Sequence, residues 1–295
     1  MTTSSLETVE PAGPAPRTAR RDPLRTALRR PLPLIAFVYL VLLAVAALAA
    51  DWIAPYDPDV QSLGEVNAEP SWAHPFGTDQ FGRDVLSRVV FGARIALIAP
   101  LIALSAAVLV GVPAGIWAGL RRGWLDAVAG RVADTLLSLP GLVVALAVIA
   151  VLGPGLWNVM LAIGILFAPY LFRIVRGVTL DVAAETFIDS ARAIGCGTGR
   201  IMWVHIFPNV APPLLVQINI LMGISLLLEA SLSFLGLGIA PPASDWGSML
   251  GDAYRNQYEA PLAAFPPGLA LCITVLAFNT LGDGIRDALA ARRGR

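Results

Sequence analysis

Lysine is absent from this chain, and all 21 of its strongly basic residues are arginine. A phosphate-cradling P-loop needs a lysine to reach the phosphates. No segment here is therefore a conventional P-loop, and any ATP-driven work would fall to another subunit. Histidine is scarce (His74 and His205), as is cysteine (Cys196 and Cys272). There is no HExxH helix, no Cys/His cluster, no Gly-rich phosphate loop and no nucleophile–base constellation. The chain reads as non-catalytic, with no cofactor or metal of its own. One cysteine falls in a polar loop and the other in an apolar run, so no disulfide is expected. Charge is scarce too, at 14% against about 25% in soluble domains. With 56% hydrophobic residues and a mean hydropathy of +0.70, the chain reads as an integral membrane protein. A net charge of zero gives no reason to expect nucleic acid.

What is there is a series of long apolar runs. Residues 1–31 are rich in Pro, Ser, Thr and Arg and read as a disordered, Arg-rich tail. Residues 32–50 form an uncharged run of 19, enough for one span. Its Ala-rich end could mimic a signal-peptide cleavage site, but the run exceeds the usual h-region of about 7–15 residues. Residues 51–93 are mixed and polar. Thr78 or Asp79 can cap a helix there, with Phe81, Val85, Val89 and Val90 on one face at the membrane interface. A second span covers about 95–120, where Pro100, Gly111, Pro113 and Gly115 suggest bends and close helix packing. Residues 135–172 are uncharged for 38 positions. That length divides at Gly153-Pro154-Gly155 into a third span near 132–152 and a fourth near 157–176. A fifth runs from after Pro208 to about Leu237 and a sixth over 261–282. A polar loop, 238–260, separates them, and a short polar tail closes the chain.

The stretch Asp181–Asn209 is the longest charged interruption in the downstream half. It reads as two short helices joined at a glycine hinge. Asp181 and Glu185 suit a first helical turn. Ala184, Ile188, Ala191 and Gly195 fall on one face. Gly195 and Gly197 allow a break beside Cys196. Thr198 is placed to cap the second helix, and Pro208 to stop it.

Six spans put both termini on one side. If that side also holds the 121–131 and 173–200 loops, it carries seventeen of the 21 arginines. Only Arg83, Arg88, Arg94 and Arg255 lie opposite. The positive-inside rule makes the arginine-rich side cytoplasmic, which places the hinge where ATP is.

Two motifs carry a resemblance. Asp189-Ser190-Ala191, Gly195 and Ile206-Phe207-Pro208 resemble the "EAA…G…I-L-P" coupling loop of ABC importer permeases, with Asp for Glu, Ser for the first Ala and Phe for Leu. Gly77-Thr78-Asp79, Gly82-Arg83-Asp84-Val85 and Ser87-Arg88 resemble the "GTD--GRDV-SR" signature of C-type permeases of dipeptide/oligopeptide/nickel importers. Matching stretches continue at Glu229–Gly238, Pro241-Pro242, Trp246-Gly247, Leu276–Asn279 and Leu281–Asp283, so the likeness covers 31–290. It implies an all-α, six-span type I ABC importer permease, with a transmembrane core over 94–283 and a cytoplasmic tail over 284–295, in a prokaryotic plasma membrane. It implies a second, homologous permease as the other half of the pore. It also implies one or two ATP-binding subunits, which carry the ATP and Mg, and an extracytoplasmic substrate-binding protein. It assigns coupling to Asp189, Ser190, Ala191, Gly195, Ile206 and Pro208.

Other residues admit two readings each. Glu229 is the one carboxylate well inside a span. It must face protein or water, either on a substrate path or bonded to backbone or Ser231. Gln217 and Asn219, two apart, cannot share a helix face; one suits a lumen and the other a helix interface. Asp79, Arg83, Asp84 and Arg88 either pair with one another or touch substrate. Asp134 is within reach of Arg131. His205 is either a pH sensor or a packed residue. Peptides are the favoured cargo. A nickel or other small-solute permease of the same family is the alternative, and a stand-alone secondary transporter or channel is the rival class. The latter would show inverted repeats, and none is evident.

Overall fold

A computed structural model describes residues 30–293, with side chains to 289. Most of the expected 1–31 tail lies outside the described residues. Within them the fold is all-α, with no strand and one isolated bridge, Thr78 to Asp84. Five helices are long and apolar enough to cross a membrane, and a bent pair makes a sixth.

Helix α1, Pro31–Leu48, starts on a proline, which fits a first turn because its missing N–H has no partner there anyway. It is apolar all round and buries only Pro33, Ala36 and Ala47, so most of its surface is left for lipid. Three ties hold it. Tyr39 Oη lies 2.8 Å from Thr274 Oγ1. Arg94 Nε donates to the Ala47 carbonyl at 2.7 Å, and its guanidinium meets Asp51.

Helix α2, Val85–Arg121, is 37 residues long, about 55 Å, so it overruns a hydrocarbon core of about 30 Å. Its start corrects the sequence reading. Asp84, not Thr78 or Asp79, is the cap, accepting from Ser87 N. The stretch 85–93 is thus the N-terminal end of the second span, and Phe81 sits in the turn before it.

Gly111, Gly115 and Gly119 form a stripe of small residues along α2. Against it lies α5, Leu156–Ala183, running in the same direction. A Cβ on Gly111 would stand 2.6 Å from the Ala168 carbonyl oxygen, and one on Gly119 2.7 Å from Thr179 Cβ. From the other side, a Cβ on Gly164 would stand 2.9 Å from the Ala103 carbonyl oxygen. Small residues permit this backbone contact where lipid supplies no hydrophobic drive. The pair forms the centre of the main core, with Met160, Ile163, Leu171 and Val175 fully buried.

The third span is not one helix. It consists of α3, Trp124–Ser138, and α4, Gly141–Leu152, bent by 101° at Leu139-Pro140. Proline disfavours helical backbone in the preceding residue, and Leu139 is extended at φ −91°, ψ 144°. With 12 residues, or about 18 Å, α4 alone cannot cross. Arg176 on α5 anchors α3 through both oxygens of Asp126, at 2.5 and 2.8 Å. Asp134 pairs with Arg173 at 3.9 Å, not with Arg131.

The fourth span continues to Ala183, so Asp181 ends a membrane helix and does not begin a loop helix. After the short α6, Thr186–Ala193, α7 runs unbroken over Thr198–Phe234. The loop 238–260 contains α8, Trp246–Arg255. The last helix, α9, Phe265–Arg293, continues through the expected polar tail. A second core cluster surrounds Trp246 and includes Val85, Ala93, Leu226 and Phe278. Trp246 Nε1 donates to the Val89 carbonyl at 2.9 Å. Gly92 leaves room for the indole, since a Cβ there would stand 2.6 Å from it.

Candidate coupling segment and clasp

The segment between α5 and α7 is built by local sequence signals. Glu185, in extended conformation, precedes α6. Gly195, at φ +80°, ends it. Gly195 N donates to the Arg192 carbonyl and Cys196 N to the Ala191 carbonyl, each at 3.0 Å. This is the paired closure that a left-handed glycine makes possible at a helix end. The hinge expected at Gly195 is there, with open space around it.

The second half departs from expectation. Gly197, not Thr198, occupies the cap position, and Pro208 does not stop the helix. Residues Ile201–Ile206 form a π turn, and Phe207 N reaches back to the Met202 carbonyl. A proline removes one i→i−4 bond and crowds that carbonyl. Widening the preceding turn relieves both conflicts, so α7 passes through Pro208.

Burial divides α6 into two faces. Ile188 is 0% exposed and Ala191 is buried; both turn towards the protein's own core, where Ile201 and Ile206 are also buried. The apolar face of α6 is thus used internally. Asp189, Ser190 and Arg192 point outward with Phe187, and Ile194 is 82% exposed beside them. Asp189 and Arg192 pair on this face at 3.3 Å. The Phe187 ring lies 6.2 Å from that of His205, which is half-buried and joins α6 to the π turn.

At the other end of the spans, the segment 77–88 is a clasp. Asp79 Oδ1 accepts from Phe81 N and Arg83 N, while Oδ2 accepts from Arg83 Nε at 2.7 Å. Arg88 is 3.6 Å from the same carboxylate and donates to the Pro58 and Pro242 carbonyls. Arg83 also approaches Asp252 of α8 at 3.8 Å. Asp84 pairs with His74 Nδ1 at 2.9 Å and accepts from Ser87 Oγ at 2.7 Å. Thr78 accepts from Ala68 N and donates to the Glu65 carbonyl. Gly77 and Gly82, both left-handed, make the turns. Arg83, Asp84 and Arg88 are buried, so their charges face one another and the chain around them. The mutual pairing expected for the motif is only partial, because Asp84 goes to His74. Sequence reasoning missed His74, Asp252 and Pro242, which no local spacing ties to the motif.

Inside the membrane region, Glu229 is 2% exposed and accepts from Ser233 Oγ at 2.8 Å. Ser231 bonds instead to the Leu227 carbonyl, so the expected partner is replaced by the residue four along, on the same helix face. Asp245, cap of α8, is a neighbour of this carboxyl, and Gly247 lets α8 press onto Ala230 and Ser233. Glu229 therefore faces protein. Asn219 sits against α9, where a Cβ on Gly282 would stand 3.0 Å from its own Cβ. Gln217 is half-buried.

Comparisons with known proteins agree with this architecture. Residues 111–295 match the family described as binding-protein-dependent transport system inner membrane component. Residues 19–70 match the N-terminal TM domain of oligopeptide transport permease C, which extends the likeness upstream of residue 31. The glutathione transport system permease protein GsiD of Escherichia coli O1:K1 / APEC is 43% identical over 274 residues, covering 92% of this chain and 90% of that protein. Its counterpart in Pectobacterium atrosepticum is 40% identical over the same length, with 92% and 91% covered. Among solved structures, an inward-facing MetNI methionine ABC transporter matches with a TM-score of 0.55 at 19% identity, over 69% of this chain and 95% of that one. That likeness supports the fold alone. The chain belongs to the family of binding-protein-dependent inner-membrane permeases, and it is a non-catalytic, multi-pass subunit of an ABC importer.

Proposed function

We propose that this chain forms half of the translocation pore of an importer for short peptides, with glutathione and dipeptides as the substrates to test first. The relatives named for glutathione transport support this cargo, as does the match to oligopeptide permease C at the N-terminal end. A second permease completes the pore. ATP-binding subunits dock on the segment 185–206, and an extracytoplasmic binding protein delivers substrate to the clasp side. Both termini are cytoplasmic in this reading.

The observation that carries the reading is the two-faced α6. Ile188 and Ala191 fix the element to its own core, while Phe187, Asp189, Ser190 and Ile194 are left for a partner. A docked subunit that moves this face moves α5 and α7 with it, because the π turn at Ile201–Ile206 is continuous with the fifth span. Nucleotide shifts the equilibrium only through its different affinity for the two states. Ile206 and Pro208 then transmit the motion, and Gly195 sets the turn.

The test is reconstitution of the complete importer in liposomes, with uptake of labelled glutathione and of a dipeptide measured with and without ATP. ATP-dependent uptake of either supports the reading. Uptake of nickel without peptide uptake overturns the cargo, and flux without nucleotide or partners overturns the class. Cysteines placed singly at Arg200 and Tyr258, labelled from one side of sealed vesicles, test the orientation.

A further inference from the structure

A groove of about 420 Å³ runs between α2, α3 and α5. All its lining residues are apolar, and half are Ala or Gly, Ala106, Ala114, Ala133 and Gly164 among them. It arises because the bent third span brings α3 across the α2–α5 pair without filling the space beside the glycine stripe. On α2 it extends from Ala106 to Ala114, and on α5 from Leu161 to Phe172. At 1.5 Å per residue that is about 12–17 Å, one leaflet's share of a hydrocarbon core of about 30 Å. Its length and wholly apolar lining suit a hydrocarbon tail.

The end of the groove carries the second observation. Arg121 lies seven residues beyond Ala114, two turns on, and so on the same face of α2. Arg121 and Arg122 are exposed, and among the described residues neither forms an ion pair. Asp126, the acid beside Arg122, is already held through both oxygens by Arg176. Trp124 follows at 73% exposure, and tryptophan favours the headgroup level. Two unpaired arginines thus stand at headgroup depth over a tail-sized apolar slot. Basic residues there attract anionic lipids.

We propose that the groove between α2, α3 and α5 seats one acyl chain of an anionic phospholipid whose phosphate is bound by Arg121 and Arg122. The lipid fills the gap that the broken third span leaves and fixes α3 against the α2–α5 pair. It belongs to the cytoplasmic leaflet under the orientation given above. Only that leaflet assignment rests on the proposed function.

The assembled importer, stripped of lipid in detergent, is exposed to phosphatidylglycerol or to phosphatidylcholine with the same tails. Retained lipid is counted by native mass spectrometry. Phosphatidylglycerol is expected to be retained over phosphatidylcholine. Retention should fall about fivefold for each of Arg121→Gln and Arg122→Gln. Ala133→Trp, which fills the slot, should lose it as well. If Ala133→Trp does not assemble, the two exposed arginine variants carry the test. Equal retention of the two lipids, or unchanged retention in the arginine variants, overturns the proposal. So does a disulfide between Ala133→Cys and the second permease, which would make the groove a protein interface. Lipid retention needs no transport, so a failed peptide-uptake assay leaves this result standing, and the reverse holds too.

Discussion

The carbonyl oxygen of Phe172 stands where a side chain on Gly115 would need to go: a Cβ there would lie 2.8 Å from it, and 2.9 Å from Val175 Cβ. The pairing of α2 with α5 depends on that vacancy. Gly115→Leu forces backbone against backbone, an overpacking of the kind that costs about 1–3 kcal/mol or more. Purified protein should melt several degrees lower and yield less. Gly177 is the control, because nothing lies within 4 Å of a Cβ there. Gly177→Ala should leave stability unchanged or raise it by up to about 1 kcal/mol of helix propensity, read as an equal or higher melting temperature.

Ile188 and Ile194 belong to the same short segment but should behave oppositely. Ile188→Ala empties a fully buried site and should cost about 2–5 kcal/mol. Ile194→Ser and Phe187→Ser change an exposed face and should move stability by no more than about 0.5 kcal/mol. They should still weaken co-purification with the ATP-binding subunits. If both classes alter stability alone, with normal assembly, the outward face is not a docking surface.

Gly195 has space around it but a left-handed backbone. Gly195→Val would therefore act through strain, about 1–2 kcal/mol, and not through a clash. Peptide-stimulated ATPase of the complex should drop while Gly195→Asn, which tolerates this conformation, retains most of it. Equal loss in both variants would point to a steric requirement instead.

Asp126 and Arg176 tie the start of α3 to α5. The guanidinium is 36% exposed, so the pair is worth nearer 1 kcal/mol than a buried bridge would be. A double-mutant cycle with Asp126→Asn and Arg176→Gln, read by thermal melting, should return a coupling of about that size. An additive result would mean that packing alone holds α3.

Asp84 caps α2 and holds His74. Asp84→Ala should cost about 2 kcal/mol through the lost cap alone, with more from the stranded imidazole. His74→Gln should be milder. Limited proteolysis of the 56–84 loop is the readout, and cleavage should rise in the order wild type, His74→Gln, Asp84→Ala.

The sequence by itself determined that this is a membrane protein, where most of its spans lie and which residues punctuate them. Those features are local. An uncharged run of 19 residues, a Gly-Pro-Gly turn or a left-handed Gly195 has its cost set by neighbours in the chain or by the solvent. It also fixed the close packing near Gly111 and Gly115, because only small side chains let helices touch at the backbone. What the sequence could not decide was the choice among several partners within reach, near or far in the chain. Glu229 chose Ser233, Asp134 chose Arg173 and Asp84 chose His74, each from a set of equally plausible neighbours. Pro208 looked like a stop, and packing of Ile201 and Ile206 into the core carried the helix through it as a π turn. Pro140 looked like an interior residue of a span, and it became the corner of one. Whether the face of Ile188 would turn inward or outward was a question of which apolar surface lay nearest in three dimensions, and only the assembled bundle answers that.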